Sequence, residues 1–163
     1  MSIIDLRVEQ WKFNRDRTLE SVKRIAEMAD PQAALSWQPG TGRAHVGWQL
    51  MHIAITEERF AMMNPGFASS LPPETLSRYG KGSEPDDDVP SLDEIRQTLE
   101  HTRANLLAMA EQFSEADLSG VPEVFRERGW TVGLALQIVA WHEPHHQGQA
   151  HLTLNLWEAS HGK

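Results

Sequence analysis

The 163-residue sequence contains no cysteine, no long apolar run and no surplus of positive charge. Without cysteine the chain forms no disulfide and offers neither a thiolate metal ligand nor a cysteine nucleophile. No window approaches about 18 consecutive apolar residues, so we predict no transmembrane helix. Charged residues occur too early for the apolar core of a signal peptide, and we expect a cytoplasmic protein.

The charge balance is acidic, with 15 Lys and Arg against 23 Asp and Glu and a net charge of −8. This sign is wrong for a surface that neutralises phosphates, so nucleic-acid binding is not expected. The 40% of hydrophobic residues is enough to build a core. We therefore predict a single globular domain over residues 1–163.

Four stretches show helical periodicity and are separated by breaks rich in Pro and Gly, which predicts an all-α fold. The first ends at Asp30-Pro31, and its apolar stripe comprises Leu6, Trp11, Leu19, Val22, Ile25, Ala26 and Met28. Residues 35–42 contain too many turn residues for a helix. The second helix is predicted from about His45 to Met63.

The third helix is predicted to begin after Ser91, which with Glu94 forms a capping-box pattern, and the fourth near Thr131. Pro144 lies inside the fourth helix, which therefore either kinks there or ends and restarts. We favour a kinked, continuous helix because its apolar stripe continues past the proline. That stripe comprises Leu136, Val139, Leu152 and Leu156.

Residues 64–90 form the longest segment without periodicity and carry three consecutive aspartates. So long a connection in a compact domain either crosses the bundle or covers a site. The sequence leaves both possibilities open: a plain crossover, or a lid over a ligand.

Three of the eight histidines fall within residues 141–150. His142 and His146 are four residues apart, so on a helix they share one face and can share a metal ion. His52 lies in the middle of the apolar second helix, where an inward imidazole needs a hydrogen-bond partner or a metal. Three neutral histidines with one open position are typical of catalytic zinc. The alternative is that these are hydrogen-bonded core histidines.

Two segments carry a resemblance to a known family. Residues 142–149 (HEPHHQGQ) resemble the H-x-x-H-H-R-G-Q signature of the DinB/YfiT-like superfamily. Residues 37–39 (WQP) and 45–54 (HVGWQLMHIA) resemble its W-x-P … S-I-G-x-L-x-x-H-I-A block. The resemblance extends over essentially the whole chain. It implies an up-down-down-up four-helix bundle.

The resemblance also implies a divalent metal, zinc or nickel, held by His52, His142 and His146. Two departures from the family pattern matter. Gln147 replaces the usual Arg, which removes a charge beside the site and argues against an anionic substrate. His45 replaces the usual Ser at the start of the second helix, where it would act as an N-cap or as a fourth ligand.

Three further residues are candidates for roles beside the metal. Gln149 would hydrogen-bond a ligand imidazole or make an ordinary contact between helices. Glu57 falls where many family members have an acidic residue. Glu57 or Glu143 would be the general base of a metal-dependent hydrolase, although helical spacing places neither on the histidine face. His145 is expected at the rim of the site or in contact with a partner helix, and His101, His151 and His161 on the surface.

Characterised members of the superfamily include thiol-dependent S-transferases. The resemblance thus implies an enzyme in which the metal activates a low-molecular-weight thiol, supplied from outside since the chain has no cysteine. The alternatives are a hydrolase and a non-catalytic, metal-stabilised stress-response or binding module. We also expect a homodimer, as in many such bundles; Trp11, Trp130 and Trp157, near predicted helix ends, would pack there or at the interface.

Overall fold

The computed structural model describes residues 1–161, which are all-α as predicted and contain no strand. The helices are α1 (Ile3–Ala26), α2 (Pro31–Ser36), α3 (Val46–Ala61), α4 (Pro73–Arg78), α5 (Leu92–Ala110) and α6 (Val132–His161). Two short 3-10 helices, Glu115–Asp117 and Glu123–Arg128, lie between α5 and α6. Among residues 1–161, no helix combines the length and apolar character needed to cross a membrane.

The four long helices pack together, with α3 against α5 and α6, and α1 against α6 and α5. Helix α3 is the most deeply buried of them, because nearly all of its side chains are shielded from solvent. The buried apolar residues form two clusters along the helices. The up-down-down-up order of the helices stays a prediction.

The predicted helix starts are confirmed by their capping bonds. Ser91 accepts a hydrogen bond from the Glu94 amide and completes a capping box with the Glu94 carboxylate. His45 caps α3 by accepting from the amide of Trp48. Thr131 accepts at its hydroxyl from the amide of Leu134. These side chains satisfy amides that have no partner within the helix.

Helix α6 is continuous through Pro144, which confirms the predicted continuity, and the kink stays a prediction. Proline has no N–H, and the carbonyl of Ala140, four residues earlier, loses its normal helical donor. The side chain of Asn14 on α1 replaces that donor: its Nδ2 lies 2.9 Å from the Ala140 oxygen. A neighbouring helix thus supplies the hydrogen bond that Pro144 removes.

Four charged side chains meet at the centre of the bundle, one from each long helix: Arg15, Glu57, Arg103 and Glu143. We call them the buried charge cluster. Arg15 donates to Glu57 and to Glu143, both at 2.8 Å, and Arg103 also binds both carboxylates. Burial alone would lower the pKa of Arg15, but the two carboxylates outweigh it and raise the pKa. The cluster has no net charge, as a buried group of charges requires.

The predicted apolar stripe of α1 is wrong at three positions, because Leu6 and Leu19 are 54% and 40% exposed and Ala26 is exposed as well. The middle of the buried face carries Asn14, Arg15 and Thr18 instead. These polar residues bind α6 and the buried charge cluster. Counting only apolar residues therefore misplaced the inward face of α1.

The second half of the stripe predicted for α6 is also wrong. Leu152 and Leu156 are 59% and 45% exposed. The buried positions there are Ala150, Thr153 and Leu154, two of them small or polar. In this half of α6, the face that packs into the bundle is therefore not the face that carries Leu152 and Leu156.

Two short helices lie where the sequence predicted none. Residues 35 and 36 belong to α2, which is capped by the Asp30 side chain accepting from the Ala33 amide at 2.9 Å. Helix α4 lies within residues 64–90. Both begin with a proline in the first turn, where its fixed φ and missing N–H fit a helix.

The end of segment 64–90 lies directly against α3. A Cβ on Gly47 would overlap Cγ1 of Val89, so the glycine allows this close approach. The segment is consequently held beside the helix that carries His52.

Candidate metal centre

The structure brings His52, on α3, together with His142 and His146, on α6. One ring nitrogen from each lies within 4.8 Å of the others. Nε2 of His52 and Nε2 of His142 are 3.1 Å apart. Two nitrogens bound to one tetrahedral zinc ion at about 2.0–2.1 Å are themselves about 3.3 Å apart. The spacing therefore fits a shared metal ion.

Hydrogen bonds on the far side of two rings set their orientation. Nδ1 of His52 lies 2.6 Å from the carbonyl oxygen of Tyr79, and Nδ1 of His146 lies 2.6 Å from Oε1 of Gln49. Both partners are acceptors, so each Nδ1 carries the proton and each Nε2 keeps a free lone pair. Partners of this kind fix ligand histidines in metal sites.

The three imidazoles are held in the neutral form that a metal ion requires. Burial and then repulsion from neighbouring histidines lower the pKa of His142 to about 2 and that of His146 to about 3. Burial also lowers the pKa of His52, although its bond to Tyr79 opposes this. Neutral nitrogens need no deprotonation before they bind metal at neutral pH. The donor set thus fits a divalent ion.

The histidines lie in the wall of an open cavity of about 1160 Å³. Trp48 forms part of this wall and stacks on His52, with ring centroids 4.6 Å apart and an interplanar angle of 11°. From segment 64–90, Leu76, Lys81 and Gly82 line the same cavity. The segment therefore contributes both a wall of the cavity and, through Tyr79, a bond to His52.

Sequence reasoning missed two polar residues beside the histidines. Gln49 accepts from His146, and Oγ1 of Thr56 lies 3.3 Å from Nε2 of His142. They are three residues before and four residues after His52, so they share its helical face. The spacing rule that pairs His142 with His146 would have found both.

His45 and Gln149 lie outside the group of three. His45 uses both ring nitrogens: Nδ1 accepts from the Trp48 amide and Nε2 donates to the Asp86 carbonyl oxygen, each at 3.0 Å. It is thus the N-cap of α3. Gln149 bonds to two residues beside the three histidines: its Oε1 accepts from Gln49 at 3.0 Å, and its Nε2 donates to Nε2 of His145 at 2.8 Å.

The carboxylates of Glu57 and Glu143 are turned into the bundle. Both belong to the buried charge cluster and are bound by Arg15 and Arg103. Their oxygens therefore do not line the cavity as a general base would. His145 does line it, stacked on Trp141 with ring centroids 4.7 Å apart, at the predicted rim.

The remaining histidines, His101, His151 and His161, are exposed as predicted. The prediction that Trp11 lies near a helix end is wrong. It lies inside α1 and is 1% exposed, so it is unavailable to a partner. Trp157 packs at the bundle end against Trp37, with ring centroids 6.0 Å apart. The homodimer stays a prediction.

Comparisons with known proteins agree with this fold and site. No curated protein sequence matches the chain at a significant level. The structure is similar to the crystal structure of a conserved protein from Enterococcus faecalis, with a TM-score of 0.66 and 20% identity, covering 96% of this chain and 97% of that one. At this identity the similarity shows the fold alone. The family model of the DinB superfamily matches residues 10–150, most of the chain including all three histidines. The chain therefore belongs to the DinB superfamily.

Proposed function

We propose that this chain is a metalloenzyme of the S-transferase type, in which a divalent ion on His52, His142 and His146 activates a low-molecular-weight thiol. One observation carries the proposal: three neutral imidazoles, two of them oriented by hydrogen bonds, converge in the wall of an open cavity. A structural metal site is normally closed by four protein ligands, whereas a catalytic one keeps a position free.

The donor set favours zinc or nickel, because imidazole is a good ligand for both and the chain offers no thiolate. When bound, such an ion lowers the pKa of a coordinated thiol and so supplies a thiolate at neutral pH. The absence of cysteine means that no protein thiolate competes with the substrate for the metal.

The protein contributes orientation and access. Tyr79 and Gln49 hold two of the rings, and Trp48 supports the His52 ring by stacking. In the reaction, the thiol proton leaves to water in the open cavity. The sulfur–carbon bond then forms as the leaving group departs from the electrophile with its electron pair.

Cobalt substitution tests the proposal directly. Adding a small thiol to the cobalt-loaded protein should produce an intense thiolate-to-cobalt absorption band, and His142→Ala should abolish it. His151→Ala, which changes an exposed residue of the same helix, is the matched control and should keep the band. Turnover is then measured with a panel of thiols and alkyl or aryl electrophiles.

The same titration separates the alternatives. A saturating thiol titration without a spectral change would show that the position is closed, and the protein would then be a metal-stabilised binding module. The hydrolase alternative is disfavoured already, because both candidate bases are bound by arginines in the buried charge cluster.

A further inference from the structure

The wall of the histidine cavity carries more cationic than anionic side chains, although the chain as a whole carries a net charge of −8. Arg59, Lys81 and Arg128 line it and are exposed. Within residues 1–161 none of these three forms an ion pair, whereas Arg126 in the same wall pairs with Glu123. We call Arg59, Lys81 and Arg128 the cationic wall of the cavity. Four cationic side chains line the cavity against two carboxylates, which leaves an excess of two positive charges.

Arg59 is fixed in place. It follows His52 by seven residues on α3, which is two helical turns or about 10 Å along the same face. Its Nη2 donates to the carbonyl oxygen of Leu76 at 2.7 Å. A Cβ on Gly80 would lie 2.8 Å from that Nη2, so glycine leaves room for the guanidinium. The structure thus holds one cation at a set distance from the histidines.

The surface beside these cations is aromatic. Phe60, Phe125 and Trp130 form a cluster, with centroid separations of 5.1 Å from Phe60 to Phe125 and 5.3 Å from Phe125 to Trp130. The guanidinium carbon of Arg128 lies 4.7 Å from the Trp130 ring centroid. A guanidinium stacked on an aromatic ring keeps its N–H edge free to bind a carboxylate or phosphate.

Gln147, whose presence was the reason to expect no anionic substrate, lies away from the cavity. Gln147, which stands where the family signature has Arg, contacts Ser21 on α1, with 3.4 Å between its Nε2 and the serine Oγ. It does not line the cavity. The missing family arginine therefore leaves the charge of the cavity unchanged.

We propose that the cationic wall of the cavity binds an anionic group of the substrate, so that the substrate is a small organic anion with an apolar body. Its metal-binding atom would reach the histidines while its carboxylate, or a group of similar charge, binds Arg59, Lys81 and Arg128. This assignment rests on the proposed function for the identity of the metal-binding atom. The charge recognition itself depends only on the cavity.

Three thiols of equal chain length and different charge test the proposal on the cobalt-loaded protein: 6-mercaptohexanoate, 6-mercaptohexanol and 6-aminohexanethiol. Titrating the thiolate-to-cobalt band gives a dissociation constant for each. We expect the acid to bind roughly tenfold more tightly than the alcohol and the amine to bind most weakly, because a charge-assisted bond adds to the affinity of the acid.

Single substitutions test which residues bind the anionic group of the thiol. Arg59→Gln, Lys81→Gln and Arg128→Gln should each reduce the preference for the acid over the alcohol and leave the affinity for the alcohol unchanged. Arg96→Gln is the control, because Arg96 is an exposed arginine on α5 that pairs with Asp93 outside the cavity. A cobalt content equal to that of the parent protein confirms that each variant is folded.

A second measurement does not depend on metal or thiol. The metal-free protein is titrated with 8-anilinonaphthalene-1-sulfonate and with N-phenyl-1-naphthylamine, which has the same rings and no charge. Arg128→Gln should weaken binding of the sulfonate alone. Bands of equal affinity for the three thiols, or equal loss of both dyes, would overturn the anionic site and leave the proposed function intact. Failure of every thiol to give a band would overturn the proposed function, and the dye pair would still decide the anionic site.

Discussion

The side chain of Asn14 donates a 2.9 Å hydrogen bond to the carbonyl oxygen of Ala140, the acceptor that Pro144 leaves without a helical donor. Asn14→Ala should lower the free energy of unfolding by about 1–3 kcal/mol, because a buried carbonyl loses its partner. Urea unfolding of the metal-free protein measures this cost.

Pro144→Ala provides the matched background, since alanine restores the N–H that can bond the Ala140 carbonyl within α6. In that background Asn14→Ala should cost clearly less, which a double-mutant cycle resolves. Equal costs in both backgrounds would show that Asn14 does not compensate for the proline.

Metal binding should depend on all three histidines. Removal of any one leaves two imidazoles, so His52→Ala, His142→Ala and His146→Ala should each hold far less than one equivalent of metal. Elemental analysis of protein purified without an affinity tag measures the content. His151→Ala should retain the parental content, and a full equivalent in any of the three variants would exclude that residue as a ligand.

Gln49 should tune the metal affinity without being a ligand. Its Oε1 accepts from Nδ1 of His146, and loss of such a partner typically costs 10–100-fold in affinity. We therefore expect Gln49→Leu to weaken zinc binding by a factor in this range, measured by competition with a chelator. Gln149→Leu removes the bonds to Gln49 and His145 but none to a ligand candidate, and it should have a much smaller effect. Equal effects of the two substitutions would contradict this role of Gln49.

The buried charge cluster should be sensitive to single changes. Glu57→Gln leaves two buried guanidiniums facing one carboxylate, and breaking a buried pair costs about 3–5 kcal/mol. Unfolding of the metal-free protein should show a loss of this size. Glu9→Gln, which breaks the exposed pair with Lys12, should cost less than about 1 kcal/mol. A small loss for Glu57→Gln would mean that the cluster is hydrated.

Acid should destabilise the metal-free protein below about pH 6.5. Burial holds the pKa of His142 and His146 at about 2 and about 3 in the folded chain, whereas the unfolded imidazoles titrate near 6.5. Between these values the unfolded state binds more protons, so the free energy of unfolding falls as the pH falls.

The variant His142→Asn tests whether the buried histidines cause this loss of stability in acid. It removes the imidazole with the lowest pKa and should reduce the decline in stability between pH 6.5 and pH 4.5, followed by denaturant midpoints at each pH. An identical decline in the parent protein and the variant would assign the acid sensitivity to other groups.

Local patterns predicted the helices and the histidine group well. The capping residues Ser91, Thr131 and His45 marked three helix starts, because caps depend only on residues a few positions away. The pair His142 and His146 followed from helical spacing alone. These features are encoded within one or two turns of the chain.

Features that depend on contacts between helices were not predictable in this way. The inward face of α1 is polar at Arg15 because it meets Glu57 and Glu143, which are 42 and 128 positions away in the sequence. The carbonyl of Tyr79 and the cation of Lys81 reach the site through a connection whose path no periodicity reveals. The contribution of segment 64–90 to the site thus depends on tertiary structure.

The buried charge cluster also determines how far α6 can slide along its neighbours. A slip of one helical turn would move Glu143 by about 5.4 Å and break its 2.8 Å contact with Arg15, while many apolar contacts would simply re-form one turn away. His142 is adjacent to Glu143 in the chain, so the same slip would carry it away from His52. The ion pairs therefore fix the register of α6 against its neighbours. In this register His142 and His146 on α6 meet His52 on α3.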